Sequence, residues 1–217
     1  MHVEIWSDIA CPWCYIGKRR FEAALTAFEH RDDVTVTWRS FQLDPSAPAV
    51  REGGAAELLM EKLETTREEV SARLAQVTAL AAAEGLEYRF DLQRPGNTFD
   101  AHRLVHLGRA HGIADAVNER LFHGYFSEGA AIGDPADLER LAVDAGLPKA
   151  EVHELLLTER YAEDVRDDQR TAASLGITGV PFFVVDRSVA VSGAQPPELL
   201  GELLRRAMPT APDVRSA

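Results

Sequence analysis

Strand-forming sequence occurs only near the two ends of this 217-residue chain, with helical periodicity between, and that order restricts the fold more than any other feature. "HVEIWSDI" is short and rich in β-formers and reads as a strand. In "CPWCYIGKRRFEAALTAFE", Ile16, Arg20, Phe21, Ala24, Leu25 and Phe28 recur at helical spacing. Pro12 suits the first turn of that helix, where its missing N–H would have no partner anyway. "DVTVTWRSFQL" alternates apolar and polar residues and reads as a second strand, so the chain opens β-α-β, which implies a parallel pair with a right-handed crossover.

After the loop "DPSAPAVREGG", residues 55–175 read almost entirely as helix. Thr65 and Thr66, each followed three residues later by Glu68 and Glu69, give a capping-box signature. Val70, Leu74, Val77 and Ala81 then form an apolar stripe that ends near Gly85. Asn97 or Thr98 caps the next helix and Gly112 stops it; Ala114, Val117, Leu121 and Tyr125 share the face of another. Asp134, Pro135 and Gly146 bracket a further helix, and "KAEVHELLLTERYAEDVRDDQRTAASLG" supplies one or two more. "GVPFFVV" and "SVAVSG" then read as a hairpin around "DRS", "PPELLGELLRRAM" as a closing helix, and "PTAPDVRSA" as a frayed tail. The order β-α-β, helical block, β-β-α fits one layered α/β domain interrupted by a helical insertion.

A formal charge of −12 argues against nucleic acid and anionic membrane surfaces, which need basic patches. No run approaches the roughly 20 apolar residues of a membrane helix. "MHVEIWSDIA" has neither the basic nor the apolar region of a signal peptide, so the expected compartment is the cytoplasm. Disulfides there are rare and mostly catalytic or transient.

Against that background the chain has only two cysteines, Cys11 and Cys14, separated by a proline and a tryptophan. A disulfide across so short a loop stabilises little. A helix N-terminus, with its unpaired N–H groups and positive dipole end, favours a thiolate. Cys11, at the mouth of the helix with its sulfur expected to face solvent, reads as nucleophile. Cys14, deeper in the first turn, reads as the resolving thiol that attacks a mixed disulfide on Cys11. Two structural thiols at this spacing, or half a zinc site, are the other readings; no second CxxC exists and His2 lies at the far end of the strand.

"SDIACPWCYIGKRRFE", followed far downstream by "GVPFFVV" and "SGAQPPELL", resembles the DsbA family of thioredoxin-fold oxidoreductases, and within it the cytoplasmic FrnE-type branch. The resemblance covers nearly the whole chain. It implies a thioredoxin fold (β-α-β … β-β-α) with a large all-helical insertion: residues 1–50 and 176–210 thioredoxin-like, 55–175 inserted, 211–217 a disordered tail. It also implies that Pro181 is cis and faces the cysteines, that Val180 offers its backbone to an extended substrate, and that Pro12 and Trp13 tune the pair. Exposed Trp13 would also touch apolar substrate. The implied function is thiol-disulfide exchange on protein or small-molecule disulfides; the implied partners are disulfide- or thiol-containing proteins, glutathione is expected as a redox partner, and no metal or tightly bound cofactor is implied. The family's buried acid six residues before the nucleophile is absent, because Ile5 stands there. Glu4 is expected on the opposite face of the strand and Asp8 as a helix cap.

His102 and His106 lie four apart on one helix, without the glutamate of a zinc-protease motif between them; His102 is expected to shape the substrate groove. The alternative function is a glutathione-dependent isomerase or transferase of the hydroxychromene-carboxylate isomerase or kappa type. The stretch "NTFDAHRL" resembles that wider superfamily. Against it stand the presence of both cysteines and "SGAQPP", which lacks the acid–arginine pair that clamps glutathione in those enzymes.

Overall fold

The computed structural model describes residues 1–208; the tail residues 209–217 lie outside the described residues. Four strands form one sheet in the order β2-β1-β3-β4. They are β1 (His2–Ser7), β2 (Thr35–Ser40), β3 (Phe182–Val185) and β4 (Val189–Ser192). β2 runs parallel to β1, whereas β3 runs antiparallel to both β1 and β4. The hairpin turn places Asp186 and Arg187 at φ 46° and 52°, the doubly left-handed conformation that tight hairpins require.

Helix α1 (Pro12–Thr26) follows β1, with Pro12 in its first turn. The helical block comprises α2 (Ala55–Leu63), α3 (Arg67–Ala83), α4 (Phe99–Ala110), α5 (Ala114–Ser127), α6 (Pro135–Asp144), α7 (Lys149–Leu157) and α8 (Ala162–Ser174), and α9 (Pro197–Ala207) closes the chain. Local sequence explains many of these ends. Thr66 accepts a hydrogen bond from Glu69 N–H, Asp134 accepts from the N–H groups of Ala136 and Asp137, and Gly176 ends α8 at φ 71°.

β1 is buried on both faces, so its side chains divide between two layers. Ile5 and Phe183 join the core that contains α1 and α9, with Phe21 stacked 5.6 Å from Phe183. Trp6 points the other way, to Ala172 of α8 and Ile177, and donates its indole N–H to the Asp168 carbonyl. Helix α8, read from the sequence as the end of the insertion, therefore covers the second face of the sheet.

The main core runs without interruption from the sheet into the helical block. Tyr15 of α1 stacks on Phe122 of α5 at 4.9 Å, and Phe126 stacks on Tyr88 at 4.6 Å. Truncating a fully buried aromatic such as Phe122 costs about 3–5 kcal/mol, so the block and the sheet stabilise one another. The loop between β2 and α2 is strapped across this block. A Cβ on Gly96 or Gly133 would fall 2.1 Å and 1.8 Å from the Ala49 carbonyl oxygen, so only glycine admits the strap at either position. The Asn97 side-chain amide holds the same loop from below, donating to the carbonyls of Pro45 and Ala47 at 3.2 and 2.9 Å.

Candidate active site

The strand–helix junction builds the site. Cys11 is the N-cap of α1 in extended conformation (φ −90°, ψ 114°), and no side chain caps the helix. Pro12 contributes no N–H and the Cys14 N–H donates to the Cys11 carbonyl at 3.0 Å, so the positive end of the helix lies at Cys11 with no side-chain oxygen to neutralise it. Asp8 is not the helix cap expected from the sequence. Its carboxylate accepts from Ala10 N–H (3.3 Å) and Leu43 N–H (2.7 Å), while its carbonyl accepts from Cys11 N–H (3.0 Å). It ties the turn after β1 to the loop after β2.

Both cysteines are free thiols. The expectation that Cys11 faces solvent is corrected: it is only 4% exposed, and Cys14 1%. The cause lies far along the chain. Tyr88, just after α3, donates its hydroxyl to the Pro12 carbonyl at 2.7 Å and shares the buried core with Cys11. Burial, with Cys11, Tyr15 and Cys14 close by, pushes the Tyr88 hydroxyl well above its ordinary pKa, so it stays a donor. No sequence motif marks Tyr88; the only signal was an aromatic after the helix stop at Gly85.

From the opposite side the Cys11 thiol meets the Val180 carbonyl at 3.6 Å, and the Val180–Pro181 peptide bond is cis. The two thiols differ in environment. Burial pushes the Cys14 thiol well up, reinforced by Cys11 beside it and only partly offset by the Asp8 N–H and the Ser7 hydroxyl. Cys14 thus keeps its proton in the resting dithiol. The Ser7 hydroxyl is buried without any hydrogen-bond partner among the described residues, a donor left available to a Cys14 thiolate.

Ile5 is buried in the core, and Glu4 lies on the opposite strand face. Burial raises the Glu4 pKa, but hydrogen bonds from Arg187 and Arg39 outweigh it and hold the carboxyl below its usual range. The two histidines serve separate carboxylates. His102 is buried behind Asp8, its Nε2 3.5 Å from Oδ1, and His106 lies 3.1 Å from Asp168 and from Ser40 Oγ.

A cavity of about 470 Å³ lies against Pro12 and Trp13, the residues between the cysteines; neither cysteine is part of its wall. Asp8, Ala10, Pro12 and Trp13 form its wall on the cysteine side, and α2, α3, α5 and the loops after β2 and after α3 supply the rest. Trp13 is 39% exposed at its edge. Val180, Pro181 and His102 are not in this wall, so the structure brings Val180 and Pro181 to Cys11 from a different direction and leaves His102 behind Asp8. No described helix is long and apolar enough to cross a membrane.

Fold and site together define a thioredoxin-like thiol oxidoreductase. Residues 2–205 match the family model described as DSBA-like thioredoxin domain, and the chain belongs to that family. A crystal structure of a probable DsbA oxidoreductase from Streptomyces coelicolor is 45% identical and superposes with a TM-score of 0.93, over 100% of this chain and 94% of that one. The uncharacterized protein YwbO of Bacillus subtilis is 28% identical over 198 residues, 89% of this chain and 91% of its own length. The cytosolic disulfide reductase DsbM of Pseudomonas aeruginosa shares the fold at 19% identity, with a TM-score of 0.67 over 95% of this chain and 98% of its own, and has also been solved with GSH.

Proposed function

We propose that this protein exchanges disulfides through Cys11 and Cys14, with Cys11 as nucleophile and Cys14 as resolving thiol. The observation that carries the reading is the asymmetry of the pair. Cys11 stands at an uncapped helix N-terminus against the Val180 carbonyl, while burial holds the Cys14 proton in place.

In the reducing direction the Cys11 thiolate attacks one sulfur of a substrate R–S–S–R′. The Cys11–S–R bond forms and R′S⁻ leaves. Cys14 then gives up its proton and attacks Cys11 Sγ, forming the internal disulfide and expelling RS⁻. Two electrons pass to the substrate, and two molecules of a thiol such as glutathione return the pair to the dithiol. Run backwards, the same steps oxidise a substrate dithiol. Val180 and Pro181 position an extended partner chain by backbone pairing, and Pro12 and Trp13 shape the approach. Protein or small-molecule disulfides and thiols are the substrates, and a cytoplasmic setting with a glutathione poise favours reduction or isomerisation. Neither metal nor tightly bound cofactor enters these steps.

The test is a redox titration against reduced and oxidised glutathione, with thiols trapped by alkylation and weighed. Wild type should cycle between dithiol and internal disulfide, and Cys14→Ser should accumulate a glutathione adduct on Cys11. Binding of reduced glutathione without exchange, and no internal disulfide, would instead establish the glutathione-dependent isomerase or transferase.

A further inference from the structure

The wall of the large cavity contains Pro12 and Trp13 but neither Val180 nor Pro181. Whatever fills the cavity therefore lies against Pro12 and Trp13, the two residues between the cysteines, on a different set of residues from a polypeptide pairing with Val180. Its volume, about 470 Å³, lies within the range of sites for small organic ligands. Its lining is chiefly apolar: Leu59 from α2, Leu74 and Val77 from α3, and the rings of Phe90, Phe126 and Trp13.

The charges in the wall are unequal. Arg51 and Lys62 are both engaged by Asp44, at 3.5 and 2.9 Å. Asp8 is satisfied by two backbone N–H groups. Arg73, an exposed residue of α3 beside half-buried Leu74 and Val77, has no carboxylate within ion-pairing distance among the described residues, although the chain carries a net charge of −12. A cation left unneutralised beside an apolar chamber, in so acidic a protein, selects for an anion.

We propose that this cavity binds a small aromatic disulfide bearing an anionic group, delivered to Cys11 past Trp13, with Arg73 holding the anion. The proposal rests on the disulfide-exchange reading and names the substrate class of that site. For Ar–S–S–Ar, Cys11 attack forms Cys11–S–Ar and releases ArS⁻. Cys14 closure releases the second ArS⁻, and the dithiol supplies both electrons.

Three probes separate the terms: anionic dithiobis(nitrobenzoate), neutral dithiodipyridine, and bis(hydroxyethyl) disulfide, which has no ring. Each rate with the reduced protein is divided by its rate with dithiothreitol at the same pH. On this scale wild type should favour the anionic over the neutral aromatic probe by about tenfold. Arg73→Glu should reverse that ratio, and Leu59→Asp should lower both aromatic rates relative to the hydroxyethyl probe. An anionic-to-neutral ratio equal to that of dithiothreitol, or one unmoved by Arg73→Glu, overturns the proposal. Reduction of none of the probes would instead defeat the exchange reading. The cavity is then judged alone, by quenching of tryptophan fluorescence with thionitrobenzoate in a Cys11→Ser, Cys14→Ser protein. Saturable quenching abolished by Arg73→Glu supports the site, and its absence overturns it.

Discussion

Gly17 and Pro181 are in contact across the interface between α1 and the loop before β3: a Cβ on Gly17 would stand 2.9 Å from Cγ of Pro181 and 3.4 Å from its Cβ. Gly17 lies one turn beyond Cys14, so the absence of a side chain there lets Val180–Pro181 reach the cysteine pair.

Gly17→Ala should therefore act on the site as well as on the fold. Overpacking a buried contact costs about 1–3 kcal/mol. The added methyl displaces Pro181, and with it the Val180 carbonyl now 3.6 Å from Cys11. The expected result is a lower urea midpoint together with slower exchange on polypeptide disulfides. A midpoint change with no kinetic change would show that Pro181 does not position substrate.

Tyr88 should control access to Cys11. Tyr88→Phe removes the hydrogen bond to Pro12 but keeps the stack on Phe126, a loss of about 0.5–1.5 kcal/mol. Tyr88→Ala removes the ring, costs about 3–5 kcal/mol, and should speed alkylation of Cys11 in the folded protein. Alkylation timed by mass spectrometry, at a urea concentration where both variants remain folded, checks this.

Cys14 should be the slow thiol and should link stability to alkaline pH. Its folded pKa is raised, so the unfolded chain ionises first as pH climbs past the ordinary thiol value of about 8.5. Above that pH the unfolded state binds fewer protons than the native state, and stability falls. Replacing Cys14 with Ala should flatten the decline measured by urea unfolding between about pH 8 and 10.

Glu4 works in the opposite sense. Arg187 and Arg39 hold its carboxyl below the ordinary range despite burial, so the native state resists protonation more than the unfolded chain. Its contribution is present above about pH 4.3 and is lost as pH falls through the depressed native value. Glu4→Gln should lower stability at neutral pH and reduce the slope of unfolding free energy against pH between about 5 and 3. An unchanged slope would mean that the ion pairs do not survive in solution.

The parts of this fold visible in sequence are those fixed locally. Pro12 at a helix start, Asp134 before Pro135, and alternation in "TVTWRS" each determine backbone conformation over a few residues, and the structure places them where the periodicity does. What escaped depends on residues far apart in the chain. Cys11 is buried at a junction where Tyr88 from the loop after α3 and Val180 from the loop before β3 meet, which no property of "CPWC" encodes. Asp8 read as a cap because a carboxylate before a helix usually is one; Leu43 N–H took it instead. The exchange of α8 from insertion to sheet cover turned on Trp6, whose partners are 160 residues and more away. The cis bond at Pro181 came from resemblance alone, since a proline before a strand is compatible with either isomer.

Helix α2 has one buried residue, Ala55, and packs chiefly against α3, yet it provides part of the wall of the cavity that Trp13 also lines. Under the use of this cavity proposed above, chemistry and selectivity are encoded in parts of the chain under unequal structural constraint. The cysteine turn is held by the sheet, Tyr88 and Pro181, where substitutions cost stability. Leu58 and Leu59 are only half-buried and Leu63 is exposed, so exchanging them should cost less stability. A lineage descended from such a protein can change what it accepts by drifting in one nine-residue helix while its redox centre stands still.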